Sequence, residues 1–413
     1  MTGTEAQTRL ARGLWLVLIA GCTISVVTFG IRASFGLFTA PLSEAHGWSR
    51  EIFAFAIAVQ NLAWGIALPL AGVIVDRFGP ARVLAVGGVV YAIGTLWMAY
   101  ADSGLTMTLS AGVLIGLALG GASTFTVLAA FARLVPESHR SWALGLGTAA
   151  GSLGQFLIAP LGQAFIVAYG WRMALVLLGL MALSVPILAG ALRDRGDMKA
   201  ARAAAAVGFD AGAAVRRAFA HRSYVLLVMG FFTCGFQVAF ITVHLPPYLS
   251  DLGADASLAG WAIGTIGLFN VIGAYASGIL GGKYPKRYLL ALIYIIRSLV
   301  IALFVLLPFS TPGVLLFSAV IGLLWLSTIP PTSGLVVVMF GTRYVATLYG
   351  FVFLSHQVGS FIGVWLGGIL YEQTGSYDMI WWLSVALGAF SALVHLPIKE
   401  AAAPAAPGLA PAR

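Results

Sequence analysis

The chain has 413 residues, of which 60% are hydrophobic and only 9% are charged, and its formal net charge is +9. A soluble domain carries about 25% charged residues, so this composition excludes a soluble globular protein and predicts one that crosses a membrane several times. The excess of basic residues is by itself compatible with a nucleic-acid partner, and its distribution along the chain argues against one.

Twelve apolar segments follow one another along the chain, separated by glycine, proline and charged clusters. At 1.5 Å per residue, such segments are long enough to cross a hydrocarbon core of roughly 30 Å. We therefore expect an all-α membrane protein with twelve transmembrane helices. The segments are 14–42, 52–75, 83–101, 106–132, 142–168, 172–192, 223–249, 257–281, 288–308, 313–340, 344–371 and 378–397.

The basic residues lie mainly on one side of the predicted membrane. If the loops alternate between sides, 19 of the 23 lysines and arginines lie on the side that carries both termini. Arg50 and Arg172 lie on the other side, and Arg32 and Arg297 lie within the membrane. The positive-inside rule then predicts cytoplasmic termini in a bacterial cytoplasmic (inner) membrane. The net charge sets the topology, and we expect no nucleic-acid partner.

Two related halves make up the chain. Gly154 and its neighbours recur at Gly359, and Gly72 recurs at Gly278, with offsets of 205 and 206 residues. Two pseudo-symmetric six-helix halves are therefore expected, with a substrate site between them at the membrane midplane. The predicted domains are a cytoplasmic tail (1–12), a six-helix bundle (13–192), a cytoplasmic linker (193–222), a second six-helix bundle (223–398) and a disordered cytoplasmic tail (399–413).

Arg32 lies near the middle of the first segment, where a charge costs at least ~2.5–3.5 kcal/mol on insertion scales. All 14 acidic residues fall at helix ends, in loops or in tails, so the sequence offers this cation no partner at the midplane. We expect that an anionic substrate is the partner, because a planar guanidinium can bind a carboxylate with two hydrogen bonds. The alternative is a structural role, such as capping backbone carbonyls.

Other polar residues lie near the centres of their segments. Arg297 is predicted either to contact substrate or to bond a neighbouring helix. Gln237 and His244 share one face of the seventh segment, which Pro246-Pro247 is expected to break beside a cavity. The remaining lining candidates, each also compatible with an interhelical hydrogen bond, are Asn61, Gln155, Asn270, His356 and Gln357.

His356 is the candidate for proton coupling. Because the membrane segments contain no carboxylate, a histidine is the best protein carrier of a proton, alongside the substrate carboxylate itself. The alternative is a neutral, hydrogen-bonded histidine in the helix core.

The loop after the second segment, Gly72-Val-Ile-Val-Asp76-Arg77-Phe-Gly79-Pro-Ala-Arg82, resembles the signature loop of the major facilitator superfamily. The resemblance covers essentially residues 12–398. It implies that Asp76, Arg77 and Arg82 act as a conformational latch on the cytoplasmic side. The second half has Gly282 in place of the aspartate, so the latch is expected to be one-sided.

The eighth segment, with Asn270-x-x-Gly273 and then Gly278, resembles the monocarboxylate transporters and oxalate–formate exchangers. In those families an arginine that binds the substrate carboxylate directly follows the first of these glycines. Here that position is Ala274, so Arg32 would supply the cation from the first helix instead.

The resulting hypothesis is a secondary active transporter of a small organic anion, a mono- or dicarboxylate, by alternating access with proton symport or anion exchange. Its expected partners are the anion, a proton or counter-anion, and the lipid bilayer, and the protein is expected to be a monomer. The alternative is an exporter of hydrophobic or drug-like compounds. No phosphate-binding Gly-x-x-x-x-Gly-Lys or zinc-binding His-Glu-x-x-His is present, so we expect no enzyme, cofactor or metal.

Overall fold

The computed structural model describes residues 3–193, 211–341 and 345–403. Eleven helical segments in these ranges are long and apolar enough to cross a membrane. One of them, Trp142–Leu192, consists of two helices that meet at Gly170, whose φ of 79° and ψ of 161° are not helical. The described ranges therefore contain twelve membrane-spanning helices, as the sequence predicts.

We number these helices α1 to α12. The first half contains α1 Gly13–His46, α2 Arg50–Val75, α3 Pro80–Met98, α4 Gly104–Leu134, α5 142–169 and α6 171–192. The second half contains α7 Arg222–Asp251, α8 Ala256–Lys283, α9 Lys286–Leu306, α10 Thr311–Phe340, α11 Thr347–Thr374 and α12 Asp378–His395. A short helix, Ala211–Phe219, precedes α7, and the rest of the predicted linker up to residue 210 lies largely outside the described residues.

The packing repeats between the halves. In the first half α1 packs on α5, α2 on α4 and α3 on α6, and in the second half α7 packs on α11, α8 on α10 and α9 on α12. Two helix pairs, α2 with α11 and α5 with α8, make the most extensive contacts between the halves, and α1 also contacts α7. Exchanging the halves turns one of these pairs into the other, which confirms the predicted pseudo-symmetry.

The predicted break of α7 at its two prolines is wrong, because the helix runs without interruption from Arg222 to Asp251. Pro246 and Pro247 lie near its end, where their missing N–H groups leave only the carbonyls of Thr242 and Val243 without a helical donor. Gly36 of α1 packs directly on this part of α7, and a Cβ at that position would collide with the Thr242 carbonyl oxygen. The prolines therefore lie at a contact between the halves.

The helix interruptions lie elsewhere. A 3-10 turn, Phe35–Phe38, follows Arg32 within α1. The α4 helix is broken at Ala122 and Ser123, and α10 is broken at 325–328. The breaks in α4 and α10 occupy corresponding positions of the two halves, and paired interruptions of this kind are typical of helices that line a transport site.

The two ends of the molecule differ. We call the end where α2 and α8 finish the basic end. There the Cβ position of a glycine on each of α2, α5, α8 and α11 faces open space, namely Gly72, Gly145, Gly278 and Gly350. At the opposite end the same helices carry contacts between the halves, such as Gly368 of α11 against Ala54 of α2. The structure is therefore open at the basic end and closed at the opposite end.

Candidate functional site

Arg32 contacts neutral groups on α2. Its Nη2 donates a hydrogen bond to Asn61 Oδ1 at 2.6 Å, and its guanidinium carbon lies 4.7 Å from the centre of the Trp64 ring. Its Nε is buried and has no hydrogen-bond partner. No carboxylate of the described residues forms an ion pair with it. The charge of this half-buried arginine is thus solvated by an amide and an aromatic face, but not neutralised.

The α2 helix prepares these two contacts. Asn61 and Trp64 are three residues apart, so they lie on the same face of the helix. Asn61 Nδ2 donates to the Ile57 carbonyl one turn earlier at 2.9 Å, which directs its Oδ1 away from the helix and toward Arg32. The asparagine amide therefore presents its acceptor to the guanidinium, and the Trp64 ring covers the adjacent side.

Aromatic rings connect Arg32 to α4 and α11. The Trp64 ring lies 5.4 Å from that of Phe353 and 6.4 Å from that of Phe125, and these two rings lie 5.6 Å from each other. The imidazole of His356 stacks on Phe353 at 5.5 Å, and its Nδ1 lies 3.1 Å from Gln357 Oε1. We call this set the Arg32 cluster, consisting of Arg32, Asn61, Trp64, Phe125, Phe353, His356 and Gln357.

The sequence identified four members of the Arg32 cluster, namely its polar residues. It missed Trp64, Phe125 and Phe353, because an aromatic residue in an apolar segment carries no signal that separates a site from lipid-facing packing. The only available hint is helical spacing, since Trp64 follows Asn61 by three residues and Phe353 precedes His356 by three. Gln357 Nε2 is buried without a partner, so this cluster contains unsatisfied donors on both halves.

Arg297 belongs to a different environment. It is only 1% exposed, and it donates to the carbonyls of Leu324 and Trp325 at the α10 break, the latter at 2.8 Å. It also donates to Gln237 Oε1 at 3.2 Å. All these partners lie in the second half. The arginine thus satisfies the backbone oxygens that the break releases, and the structure does not bring it to Arg32.

Gln237 and His244 also bond within the second half. Gln237 Nε2 donates to the Ser384 carbonyl of α12 at 2.9 Å, so both ends of its amide are used. His244 is fully buried, and its Nε2 lies 2.8 Å from the Val364 carbonyl of α11. Neither side chain joins the Arg32 cluster, and each instead forms an interhelical hydrogen bond.

Gln155 and Asn270 lie where α5 meets α8. Gln155 Nε2 donates to the Ile263 carbonyl at 3.0 Å. Asn270 donates to Ser152 Oγ at 2.8 Å, and its Oδ1 accepts from the Leu326 amide at 3.0 Å. Asn270 therefore joins the first half to the α10 break. The structure groups these two amides with the contact between the halves.

The predicted latch stays a prediction. The side chain of Asp76 lies outside the described residues. Arg77 is exposed with its guanidinium 5.3 Å from the Phe78 ring centre, and Arg82 is exposed. In the described ranges, no three His, Cys, Asp or Glu side chains are grouped closely enough to bind a metal ion.

An ion-pair gate closes the opposite end, and the sequence did not predict it. Arg50 of α2 binds Asp251 of α7 through two hydrogen bonds of 2.6 Å each. Its backbone N–H donates to Glu372 Oε1 of α11 at 2.7 Å, and its guanidinium lies 4.2 Å from the Tyr371 ring centre. One residue of the first half thus holds two helices of the second.

Tyr377 extends this gate into the protein. Its hydroxyl accepts from Arg50 Nη1 at 3.3 Å and lies 3.4 Å from His244 Nδ1. Burial raises the pKa of the Tyr377 phenol despite the nearby arginine, so the hydroxyl keeps its proton. It can therefore donate a hydrogen bond to His244. Because His244 Nε2 faces a carbonyl, that nitrogen carries the ring proton and Nδ1 is the acceptor.

Removing the gate should favour opening at the opposite end. Arg50→Gln or Asp251→Asn breaks a two-point, partly exposed ion pair worth about 1–2 kcal/mol, which shifts the conformational equilibrium roughly 5- to 30-fold. Hydrogen exchange of peptides covering 39–50 and 248–256 should therefore accelerate. Arg172→Gln, at an arginine that faces aromatic rings instead of a carboxylate, is the control. Unchanged exchange in both gate variants would contradict the assignment.

Removing Arg297 should destabilise the fold. Arg297→Gln leaves buried carbonyls at the α10 break without a charged donor, and each orphaned group costs about 1–3 kcal/mol. The melting temperature of the purified protein should fall, and Arg297→Lys should recover part of the loss. The test separates structure from binding because ligand affinity of the folded fraction should not change. A variant with a normal melting temperature but no ligand binding would contradict this structural role and indicate that Arg297 binds substrate.

Several proteins resemble this chain along most of their length. The model of the Major Facilitator Superfamily matches residues 20–364. An uncharacterised MFS-type transporter, YcxA, of Bacillus subtilis (strain 168) is 25% identical over 92% of this chain and 94% of its own. Monocarboxylate transporter 13 of Rattus norvegicus is 29% identical, with 91% and 86% covered. The oxalate:formate antiporter of Oxalobacter formigenes is 24% identical, with 90% and 88% covered.

Solved structures share the fold. A crystal structure of a D-xylose-proton symporter superposes with a TM-score of 0.74 at 15% identity, and the match covers 93% of this chain and 98% of the symporter. The family model spans more than half of the chain, and the twelve helices in two related halves agree with it. The chain belongs to the Major Facilitator Superfamily, and it is a transporter and not an enzyme.

Proposed function

We propose that this transporter carries a small organic anion, a mono- or dicarboxylate, and that Arg32 binds its carboxylate. The observation that carries the proposal is the uncompensated guanidinium of Arg32. It lies in the middle of a membrane-spanning helix, its two contacts are neutral, and its Nε has no acceptor. A cation in this position is costly unless an anion joins it, and a planar guanidinium suits a carboxylate.

The direction of opening supports access from the cytoplasm. Under the positive-inside rule the basic end of the molecule is cytoplasmic, with both termini on that side of a bacterial inner membrane. The conformer closed by Arg50 and Asp251 is then inward-facing, and substrate reaches the Arg32 cluster from the cytoplasm. Transport proceeds by alternating access in a monomer, with a proton or a second anion as the coupled species.

The names of two relatives agree with an anionic substrate, since one is a monocarboxylate transporter and the other an oxalate:formate antiporter. One observation favours a second candidate, export of hydrophobic compounds. Trp64, Phe125 and Phe353 form an aromatic wall that would suit such a substrate. The charge favours the anion, because a guanidinium beside that wall attracts anions and repels cationic compounds.

Arg32→Gln should abolish carboxylate binding while the protein stays folded and inserted. A ligand raises stability by RT ln(1 + [L]/Kd), so thermal-shift titration of the purified protein with carboxylates detects even millimolar binding. A lost charge-assisted pair costs about 1.5–3 kcal/mol, roughly 10- to 150-fold in affinity. Arg32→Lys should recover part of this, because lysine keeps the charge without the two-point geometry.

Arg172→Gln is the matched control for Arg32→Gln, since it removes the same charge outside the membrane midplane and should leave binding unchanged. Normal carboxylate uptake by Arg32→Ala in proteoliposomes would refute the proposal. Stabilisation by hydrophobic cations, with none by carboxylates, would favour the exporter.

His356 is our candidate proton carrier, and His356→Gln should separate exchange from net uptake. Exchange of labelled for unlabelled substrate returns a loaded carrier in both directions and needs no proton release. Net uptake requires the empty, deprotonated carrier to reorient. The variant should therefore retain exchange and lose its acceleration by an inward proton gradient, measured with radiolabelled substrate in proteoliposomes.

His395→Gln provides the comparison for the coupling test, because this buried histidine lies near the Ser391 carbonyl, outside both the Arg32 cluster and the gate. It should keep its response to the gradient. A His356→Gln variant with the full response would place the proton on the substrate or near Arg32. A wild-type protein without any gradient response would be an anion exchanger.

A further inference from the structure

The break in α4 leaves hydrogen-bond donors unused inside the membrane. Beyond the break, α4 continues as the helix Thr124–Leu134, with Ser123 at its N-cap position. Ser123 is only 4% exposed, yet its hydroxyl neither caps the helix nor bonds any other group, and the Thr124 hydroxyl is also buried without a partner. The Thr126 and Val127 amides donate to the Ser123 carbonyl, and the amides before them lack an intrahelical acceptor. Donors therefore concentrate at this point.

At the corresponding break in α10, side chains of the protein bond the backbone groups that the break releases. There Arg297 donates to two released carbonyls, Asn270 accepts from the Leu326 amide, and Ser277 donates to the Ser327 carbonyl. Side chains of the protein thus satisfy the break in the second half. The two hydroxyls at the break in the first half have no such partner. Each of these hydroxyls can donate a hydrogen bond, and so can the first amides of the helix, so one anionic acceptor would satisfy them together.

Aromatic rings connect the α4 break to Arg32. Phe125 directly follows Thr124, and its ring lies against that of Trp64, over which the Arg32 guanidinium is placed. On the other side, the Thr124 hydroxyl and the Phe29 ring both approach Gly151, at 3.3 and 3.7 Å from its Cβ position. Phe29 precedes Arg32 by three residues on α1. The indole Nε1 of Trp64, buried without a partner, is one more donor here.

We propose that the α4 break is a second anion subsite, which binds the distal carboxylate or sulfonate of a short dianion whose first carboxylate is bound by Arg32. This rests on the function proposed above and narrows its substrate class. The helix N-terminus contributes roughly half a positive charge, in addition to the full charge of Arg32. A monocarboxylate would satisfy Arg32 and leave the hydroxyls of Ser123 and Thr124 unbonded, whereas a dianion satisfies both groups.

Matched pairs of acids test the subsite. Thermal-shift titrations of the purified full-length protein at pH 7 would compare oxalate with acetate, malonate with propionate, and succinate with butyrate. The dicarboxylate of the best-fitting pair should bind about tenfold tighter or more, the effect of one hydrogen bond to a charged group. Ser123→Ala and Thr124→Val should each remove most of this preference and leave monocarboxylate affinity unchanged.

Ser110→Ala is the matched control, because it removes a buried hydroxyl of the same helix that already bonds the Thr106 carbonyl at 2.7 Å. It should leave the preference intact, and Ser123→Thr, which keeps the hydroxyl, should preserve it. If Ser123→Ala does not fold, Thr124→Val and the wild-type preference still decide the question.

Failure of the subsite is distinguishable from failure of the proposed function. Equal wild-type affinity within each pair would overturn the subsite, and so would a loss in Thr124→Val that is the same for mono- and dicarboxylates. In either case Arg32→Gln would still abolish binding, and the proposed function would stand. If no carboxylate stabilises the wild-type protein, the proposed function fails and the subsite fails with it.

Discussion

The placement of positive charge inside the membrane is the constraint on which the rest of this structure depends. Arg32 and Arg297 both place a charge inside the membrane, and the protein meets this cost in opposite ways. Arg297 is 1% exposed and bonds carbonyls that a broken helix releases, so its charge is solvated by the fold. Arg32 has an amide and an aromatic face. Arg297 thus satisfies the fold, and Arg32 is the cation that we propose to bind the substrate.

The broken helices make that difference possible. A break in α10 supplies the oxygens that Arg297 needs, and Asn270 accepts from the Leu326 amide there while donating to Ser152 of the first half. The shape of the α10 break is thereby coupled to the contact between α5 and α8. Any rocking of the halves that separates Ser152 from Asn270 also removes a support of this break. Asn270, which appears in the sequence as a lone polar residue, thus connects helices of both halves.

Much of the fold was predictable because it depends on local pattern. Segment length gave the twelve helices, and the repeat gave the two halves. The break was assigned to the wrong prolines, since Pro246 and Pro247 lie near the end of α7 where little helix remains to disrupt. Pro330 and Pro331 open the second part of α10, a position that suits proline, and they carried the useful signal. The partners of Arg50 could not be predicted, because they lie more than 200 residues away in sequence.

Two continuous helices connect the Arg32 cluster to the gate. The α2 helix carries Asn61 of the Arg32 cluster and, eleven residues earlier, Arg50 of the gate, roughly 16 Å along one rigid helix. The α11 helix likewise carries Gln357 of the cluster and Glu372 of the gate. The two helices pack against each other between these points. If Arg32 binds an anion as we propose, an anion that draws Arg32 away from Asn61 acts on the same pair of helices that the gate holds closed.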